Sequence, residues 1–349
     1  MTDTFDVAVY VGRMQPFLNS HLAGVRRALQ LAPACVVVVA GGYQARSPRN
    51  PLGRQQRSDM LHAALTAEER ARVRVVAVRD DCDPARLAGE TRRQIEQVAG
   101  RGRRVVVVNE PGCRLPALPG WPHAEAPVAP PADVPLRERL FDAADPRAVL
   151  QRHAHEVAPG TEAFWDGWLA SAECRRLADE WRALRGMRAE WAGAPYPPTF
   201  VTVDSVVHCA GHVLVITRGR EPGKGLHALP GGFLEPDDTV LDSAVRELAE
   251  ETGLAVPAAE LRERLQQVRV FDDPLRSQRG RVLTHAHYFE LGARALPAIR
   301  AGDDAAAAFW LPLAEVAARE ECFHDDHFLI LDAFLHVARP HDVPAPALQ

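Results

Sequence analysis

"GGFLEPDDTVLDSAVRELAEETGL", residues 231–254, reads as two glycines, a polar turn and one amphipathic helix. Val240, Leu241, Ala244, Val245 and Leu248 recur at helical spacing and give the helix one apolar face. The helix is expected over 239–252, with Gly253 placed to end it in a left-handed cap. Glu247, Glu250 and Glu251 stand at i, i+3 and i+4, and helical periodicity turns them away from the apolar stripe. Like charges at these spacings repel. They also sit near the helix C-terminus, where the macrodipole disfavours anions. Such a cluster is either a solvated acidic face or one compensated by a cation, and the spacing alone leaves both open. Magnesium suits the second reading, because it favours carboxylate oxygens and keeps waters and substrate phosphates in its shell.

Outward from this stretch, the chain divides. Its 349 residues are comfortable for two domains, and 47% hydrophobic with 25% charged residues is ordinary globular composition. "APYPPTF" at 194–200 is a stiff proline linker that marks the boundary. After it, strands are expected at 200–207, 211–218, near 265–271 and 281–290, with a glycine loop "EPGKG" and a last helix near 325–338. That is an α+β order.

The first half alternates differently. Strands are expected at 6–11, 34–40, 73–78 and 104–108, with helices at 20–31, 54–65 and 84–98. Continuous Val-rich strands between helices imply a parallel sheet covered on both faces. Residues 110–135 are rich in Pro and Ala and read as a loop, and 136–190 as mostly helical. The domains are therefore expected at 1–155 and 199–340, joined by a helical segment and linker at 156–198.

Bulk properties exclude several classes. The net charge of −5 offers no extended nucleic-acid-binding surface, and no helix-turn-helix or basic reading segment stands out. Six cysteines form no Cys-x-x-Cys pair and read as isolated thiols of a cytoplasmic protein. The N-terminus lacks a signal-peptide pattern, and the longest apolar runs are too short to span a bilayer.

Written out, the opening stretch is Gly232, five residues, Asp238, seven residues, then Arg246-Glu247-Leu248-x-Glu250-Glu251-x-Gly253-Leu254. It resembles the Nudix box, with Asp238 where the family has Glu. The resemblance implies that Glu250 and Glu251 bind the metal. Glu247 joins them or takes the proton of the attacking water. Arg246 holds the glutamates, and Gly231 and Gly232 let the loop fold tightly beside the helix. The metal implied is Mg2+, with Mn2+ as the alternative, and the reaction is hydrolysis of a nucleoside diphosphate linked to another group.

The N-terminal loop "GRMQPFLNSHLAG", residues 12–24, follows the first strand. Together with Arg49-Asn50-Pro51, "ALPGGF", "RGRVLTHAHYF", "GDDAAAAFW" and "HDDHFLI", it makes the whole chain similar to a bifunctional family. That family joins an NMN adenylyltransferase domain, Rossmann-like, to a Nudix ADP-ribose pyrophosphatase domain of α/β/α sandwich fold. The resemblance covers roughly residues 5–338 and implies ADP-ribose as substrate, AMP and ribose 5-phosphate as products, and a homodimer. A residual nucleotide site would comprise Gly12, Arg13, Gln15, His21 and Arg137.

Departures cluster in the first half. The family's His-x-Gly-His reads Leu18-Asn19-Ser20-His21 here, so one donor to phosphate is lost. Ser-Ser-Thr-x-x-Arg reads Ala132-Asp133-Val134-Pro135-Leu136-Arg137, keeping only the arginine. The run after the fourth strand, "VVVVNEPGCR", has neither the family's His nor its Lys. Removing one such donor typically costs on the order of a hundredfold in rate. The first domain is therefore expected to have little or no transferase activity. The alternatives are a fully bifunctional enzyme that also makes NAD from NMN and ATP, and a non-catalytic sensor of ADP-ribose or NAD. Arg281, His285 and Asp303-Asp304 are family-like positions without assigned roles, and Trp310 reads as core before base-stacking.

Overall fold

The structure, a computed structural model, describes residues 5–109, 118–126 and 134–338. The described residues divide into two compact units, one ending at Trp181 and the other beginning at Arg182. The division falls inside a helix, well before the proline linker at 194–200.

The first unit holds a five-stranded, all-parallel sheet in the order β3-β2-β1-β4-β5. Its strands are β1 (Val7–Gly12), β2 (Ala34–Val39), β3 (Val73–Ala77), β4 (Val105–Asn109) and β5 (His123–Glu125). Helices α1 (Asn19–Leu31), α2 (Arg54–Ala64), α3 (Ala67–Arg72) and α4 (Pro84–Ala99) connect the first four. This is the Rossmann-like arrangement expected from alternating Val-rich strands and amphipathic helices. Both faces are apolar: Val37 and Val39 point into one core cluster, Val36 and Val38 into the other. Strand order reverses between β1 and β4, which opens a crevice at the carboxyl ends of the strands. Two elements were not expected: α3, and β5 inside the stretch read as a loop. The second takes its order from pairing with β4, not from any pattern of its own.

The segment 136–190 is helical, as four pieces: α5 (Leu136–Asp142), α6 (Pro146–Arg152), α7 (Glu162–Ala170) and α8 (Ala172–Glu190). Trp165, Trp168, Leu177 and Trp181 are buried in the first unit's core.

The second unit is a mixed sheet between helices. Its strands are β6 (Thr199–Cys209), β7 (His212–Arg218), β8 (His227–Ala228), β9 (Gly231–Phe233), β10 (Leu265–Phe271), β11 (Arg281–Glu290) and β12 (Ala305–Pro312). The main order is β10-β11-β6-β7-β12, with β8 on β7 and β9 on β6. Helix α9 (Val240–Thr252), with the short α10 (Ala258–Arg264), covers one face through Val245 and Leu248. Short helices at α11 (Leu313–Val316) and at 317–322 precede α12 (His327–Leu335), which covers the other through Phe328, Ile330 and Leu331. The last helix therefore starts at His327, two residues later than expected, because residues 324–326 form a turn.

The parallel pair β6–β11 runs in unbroken register from Thr199 opposite Arg281 to His208 opposite Glu290. On its other side, β6 pairs with β7 only at His208 and Cys209. It then parts from β7, and the glycine strand β9 pairs with β6 at Thr202–Asp204 instead. This divergence opens the cleft described next.

Candidate active site

Helix α9 is built as its sequence predicts at both ends. Thr239 caps its N-terminus by accepting the N–H of Asp242 at 3.2 Å. Gly253 closes its C-terminus in the left-handed region, at φ 49°. Between them the three glutamates separate. Glu250 is 47% exposed, Glu247 is 12% exposed, and Glu251 is buried. The expectation that all three face away from the apolar stripe is thus wrong for Glu251. It lies one turn beyond the buried Leu248, on the side where β9 packs against the helix, and the glycines leave space there for a carboxylate.

Each glycine has a separate steric reason. A Cβ on Gly231 would strike the carbonyl oxygen of Val203 in the neighbouring strand. A Cβ on Gly232 would strike the carboxylate of Glu247. With both side chains absent, the Gly231 N–H donates to Glu251 Oε2 at 2.8 Å.

Arg246 organises the exposed side. Its Nε donates to Asp238 Oδ2 at 3.1 Å, and its Nη1 donates to Glu247 Oε1 at 3.1 Å and to Glu250 Oε2 at 2.9 Å. Asp238 also accepts from Ser243 Oγ at 3.0 Å, so the shorter acid still reaches the arginine. Burial opposes the charge on Arg246, but contacts with Asp238, Glu247 and Glu250 outweigh it and hold the guanidinium firmly protonated.

The inner carboxylates behave oppositely. Burial pushes Glu251 up to about 8, and the neighbouring charges of Glu247 and Asp204 add to it against the Gly231 N–H and Arg218. Burial likewise raises Glu247, with the nearby charge of Asp303 contributing and Arg246 opposing. Glu247 shares Arg246 with Asp238 and Glu250, and burial outweighs Arg218 at Glu251, so this pair of acids fits a divalent metal, which takes carboxylate oxygens. Among the described residues, the three glutamates do not form a group whose donor atoms all lie within 4.8 Å of one another. Arg246 draws Glu250 outward. Carboxylate oxygens are nonetheless the donors that a divalent ion takes.

The cleft that Gly231 and Gly232 line is lined also by Arg218, Arg276, Ser277, Arg279, Asp325 and His327, beside Asp204. Arg276 Nε and Nη2 donate to both oxygens of Asp326, at 2.9 and 2.8 Å. Arg218 Nε donates to the carbonyl of Pro222 at 2.8 Å. Asp204 is buried and accepts from Thr284 Oγ1 at 2.6 Å. The stretches "RGRVLTHAHYF" and "HDDHFLI" carry Arg279, Asp325 and His327, but sequence reading assigned those residues no role, and it missed Arg218 and Arg276. Of the family-like positions singled out, Asp303 lies near enough to Glu247 to act on its charge, and the others stand away from this lining. Arg281 donates to the Asp272 carbonyl at 2.5 Å, Asp304 pairs with Arg220 at 2.8 Å, and His285 sits in β11 opposite Val270. Trp310 packs against a core cluster and donates to the Pro297 carbonyl at 3.0 Å.

The crevice of the first unit is built differently. Gly12 ends β1 and its carbonyl accepts the Ala40 N–H at 3.0 Å. Arg13 pairs with Asp80 at 2.8 Å. Gln15 is buried, with its amide donating to the Leu52 carbonyl and accepting the Leu52 N–H at 2.8 and 3.0 Å. That side chain ties the Gln15 loop to Leu52. His21 Nδ1 accepts the Leu18 N–H at 2.8 Å. The N–H of Asn19, at the start of α1, donates to the Glu156 carbonyl at 2.9 Å. Arg137 Nη1 donates to the Gln15 carbonyl at 3.3 Å. Arg57, unnoticed in the sequence, is buried and donates to the carbonyls of Arg13, Ala40 and Gly41. The positions of the family's lost motifs at 110–117 and 132–133 lie outside the described residues.

Residues 198–333 match the model of the NUDIX domain. Over 105 residues the chain is 37% identical to an ADP-ribose pyrophosphatase of Methanocaldococcus jannaschii, covering 30% of this chain and 57% of the relative. Over 125 residues it is 25% identical to a nicotinamide/nicotinic acid mononucleotide adenylyltransferase of Acinetobacter baylyi, covering 35% of this chain and 66% of the relative. The chain thus spans less than two thirds of either. Its fold resembles the crystal structure of a bifunctional NMN adenylyltransferase/ADP ribose pyrophosphatase from Francisella tularensis, complexed with AMP and a manganese ion. The TM-score is 0.88 at 26% identity, with 95% of this chain and 99% of that one covered.

Proposed function

From a NUDIX domain at residues 198–333, on a chain with the architecture of a nucleotidyltransferase joined to a Nudix hydrolase, we propose that the protein hydrolyses a nucleoside diphosphate derivative, with ADP-ribose as the leading substrate. Water attacks one phosphorus of the diphosphate, and the bridging oxygen leaves with the other phosphate. ADP-ribose and water would give AMP and ribose 5-phosphate.

One observation carries this reading. Glu247 and Glu251 meet the glycine strand at Gly232 and Gly231, and Arg218, Arg276 and Arg279 line the cleft that these two glycines also line. The acids suit a divalent cation, magnesium or manganese, and the arginines suit a diphosphate. Glu250 and Glu251 would hold the ion, with Glu247 beside them. A bound ion would lower the pKa of the attacking water and neutralise charge on the diphosphate. Glu247, raised by burial, would take the proton of that water. Arg246 would keep Glu247 oriented, and the three arginines would bind phosphate oxygens and draw charge from the leaving group.

For the first domain we propose little or no adenylyl transfer. Leu18 cannot donate to a phosphate, and the Asn19 N–H at the helix start is already bonded to Glu156. The whole-chain likeness to a bifunctional protein favours the second reading, in which NAD synthesis survives. One experiment tests both: incubate the protein with Mg2+ or Mn2+, supply ADP-ribose in one vessel and NMN with ATP in another, and separate the products. AMP from the first and no NAD from the second is the expected result. An intact ADP-ribose pool overturns the hydrolase, and NAD at a useful rate overturns the retired transferase.

A further inference from the structure

The turn His324–His327 sits beside the cleft and touches it from several directions. Its Asp325 occupies the left-handed region at φ 43°, a conformation that costs a non-glycine residue of order 1 kcal/mol or more. The His324 N–H donates to the His227 carbonyl at 2.8 Å. His327 Nδ1 accepts the N–H of Leu229, two residues before the glycine strand, at 2.9 Å. Burial keeps both imidazoles below their ordinary range, so they act here as neutral groups. Asp326 is the turn's link to the arginine wall. It holds the Nε–Nη2 edge of Arg276, and both side chains are nearly buried, at 6% and 12% exposure.

A guanidinium offers two forks of paired donors. Asp326 occupies the first, formed by Nε and Nη2. The second, formed by Nη1 and the remaining Nη2 hydrogen, takes part in no hydrogen bond among the described residues, and Arg276 lines the cleft. Asp204 Oδ2 lies 3.7 Å from Nη2, beyond hydrogen-bond distance, so it contributes charge without taking that fork. An unheld arginine would have to lose its rotamer freedom on binding. One fixed by a bidentate carboxylate has already lost it.

Resting on the hydrolase reading above, we propose that Asp326 is a positioning residue for diphosphate recognition: it fixes Arg276 so that the free fork engages a phosphate of the substrate. Asp326 touches no substrate atom in this scheme and acts only through Arg276.

The test is a double-mutant cycle on the full chain, with ADP-ribose and Mn2+. D326N is expected to raise KM about tenfold while kcat changes less than threefold. D326E, which keeps the charge, is expected to recover part of the loss. R276K alone is expected to raise KM at least as much, and D326N added to R276K is expected to cost nothing further. Mn2+ affinity without substrate is read alongside and is expected to match the unmodified protein. Thermal melting is expected to fall for D326N and R276K, which break a nearly buried pair, while each stays folded at the assay temperature. A D326N loss that persists in full on the R276K background overturns the proposal, as does an unchanged KM. A D326N loss that comes with weaker Mn2+ binding, or that disappears when rates are corrected for unfolded protein at the assay temperature, also overturns it. Failure of the unmodified protein to hydrolyse ADP-ribose is a separate result and strikes the hydrolase reading itself.

Discussion

Glu251 and Gly231 are joined at 2.8 Å, the carboxylate accepting the glycine's N–H from beneath the cleft floor. That bond keeps a buried acid in place although burial pushes its pKa up to about 8. Its ordinary value is 4.5. The folded metal-free protein therefore holds a proton that the unfolded chain releases. Stability tied to this group is complete below pH 4.5 and is lost as pH rises towards 8. Glu251→Gln removes that dependence. Chemical denaturation of metal-free protein at pH 5 and pH 9 is expected to show the unmodified chain losing on the order of a few kcal/mol more than the variant. Hydrolysis by the variant is expected to fall about a hundredfold or more.

The same proton must leave when a cation arrives, because a metal ligand has to be deprotonated. Titration calorimetry with Mn2+ in two buffers of different ionisation enthalpy is expected to show about one proton released per ion at pH 7, and fewer above pH 8. Equal heats in both buffers at pH 7 would count against Glu251 as a ligand.

The two glycines of β9 are expected to fail differently when changed to alanine. Gly232→Ala meets the carboxylate of Glu247, a movable side chain. The protein is expected to keep its melting temperature and to lose about a hundredfold in rate through displacement of that acid. Gly231→Ala meets the backbone of Val203 and Asp204, which cannot turn aside. It is expected to destabilise the second unit by about 1–3 kcal/mol. Melting curves and initial rates for the pair separate the two.

In the first unit, both carboxylate oxygens of Glu156 accept from Arg139 Nη2, at 2.9 and 2.7 Å, and His153 lies 3.0 Å away. Burial works to raise its pKa, but Arg139 and His153 prevail and hold it below 4.5. The resulting stability is present above pH 4.5 and lost as pH falls through the folded value. Glu156→Gln is expected to lower stability by about 1–3 kcal/mol at pH 7, with the difference shrinking in acid. Denaturant midpoints at pH 7 and pH 3 check it. A constant difference across that range would contradict the assignment.

Periodicity made much of this molecule legible. Alternating Val-rich strands and helices gave the parallel sheet of the first unit, because each strand is buried on both faces. Helix α9 was readable to both caps, since Thr239 and Gly253 are local signals. The acids could be located for the same reason, but their burial could not. Glu251 is buried because a distant strand of glycines leaves room for it, and no helical wheel contains that strand. The arginine wall was harder still. Arg276 and Arg279 lie in a short connection, and their neighbours at 204, 218 and 324–327 are brought to them by the sheet. Gln15 stands in a motif-like loop, and no local pattern announced that its side chain would bond the backbone of Leu52, 37 residues on.

The pairing of β6 with β11 across some eighty residues has a consequence for synthesis. A ribosome that has released the chain as far as residue 270 has made all three glutamates and both glycines of β9. It has made neither Arg276 nor Arg279, nor the turn at 324–327. The strand that completes the sheet beside β6 is also still missing. Contacts so distant in sequence form late, because closing the intervening loop costs entropy before any pairing is gained. The carboxylates of a nascent chain are therefore made before the arginines that line the cleft, and the cleft is assembled only when residues 324–327 have emerged.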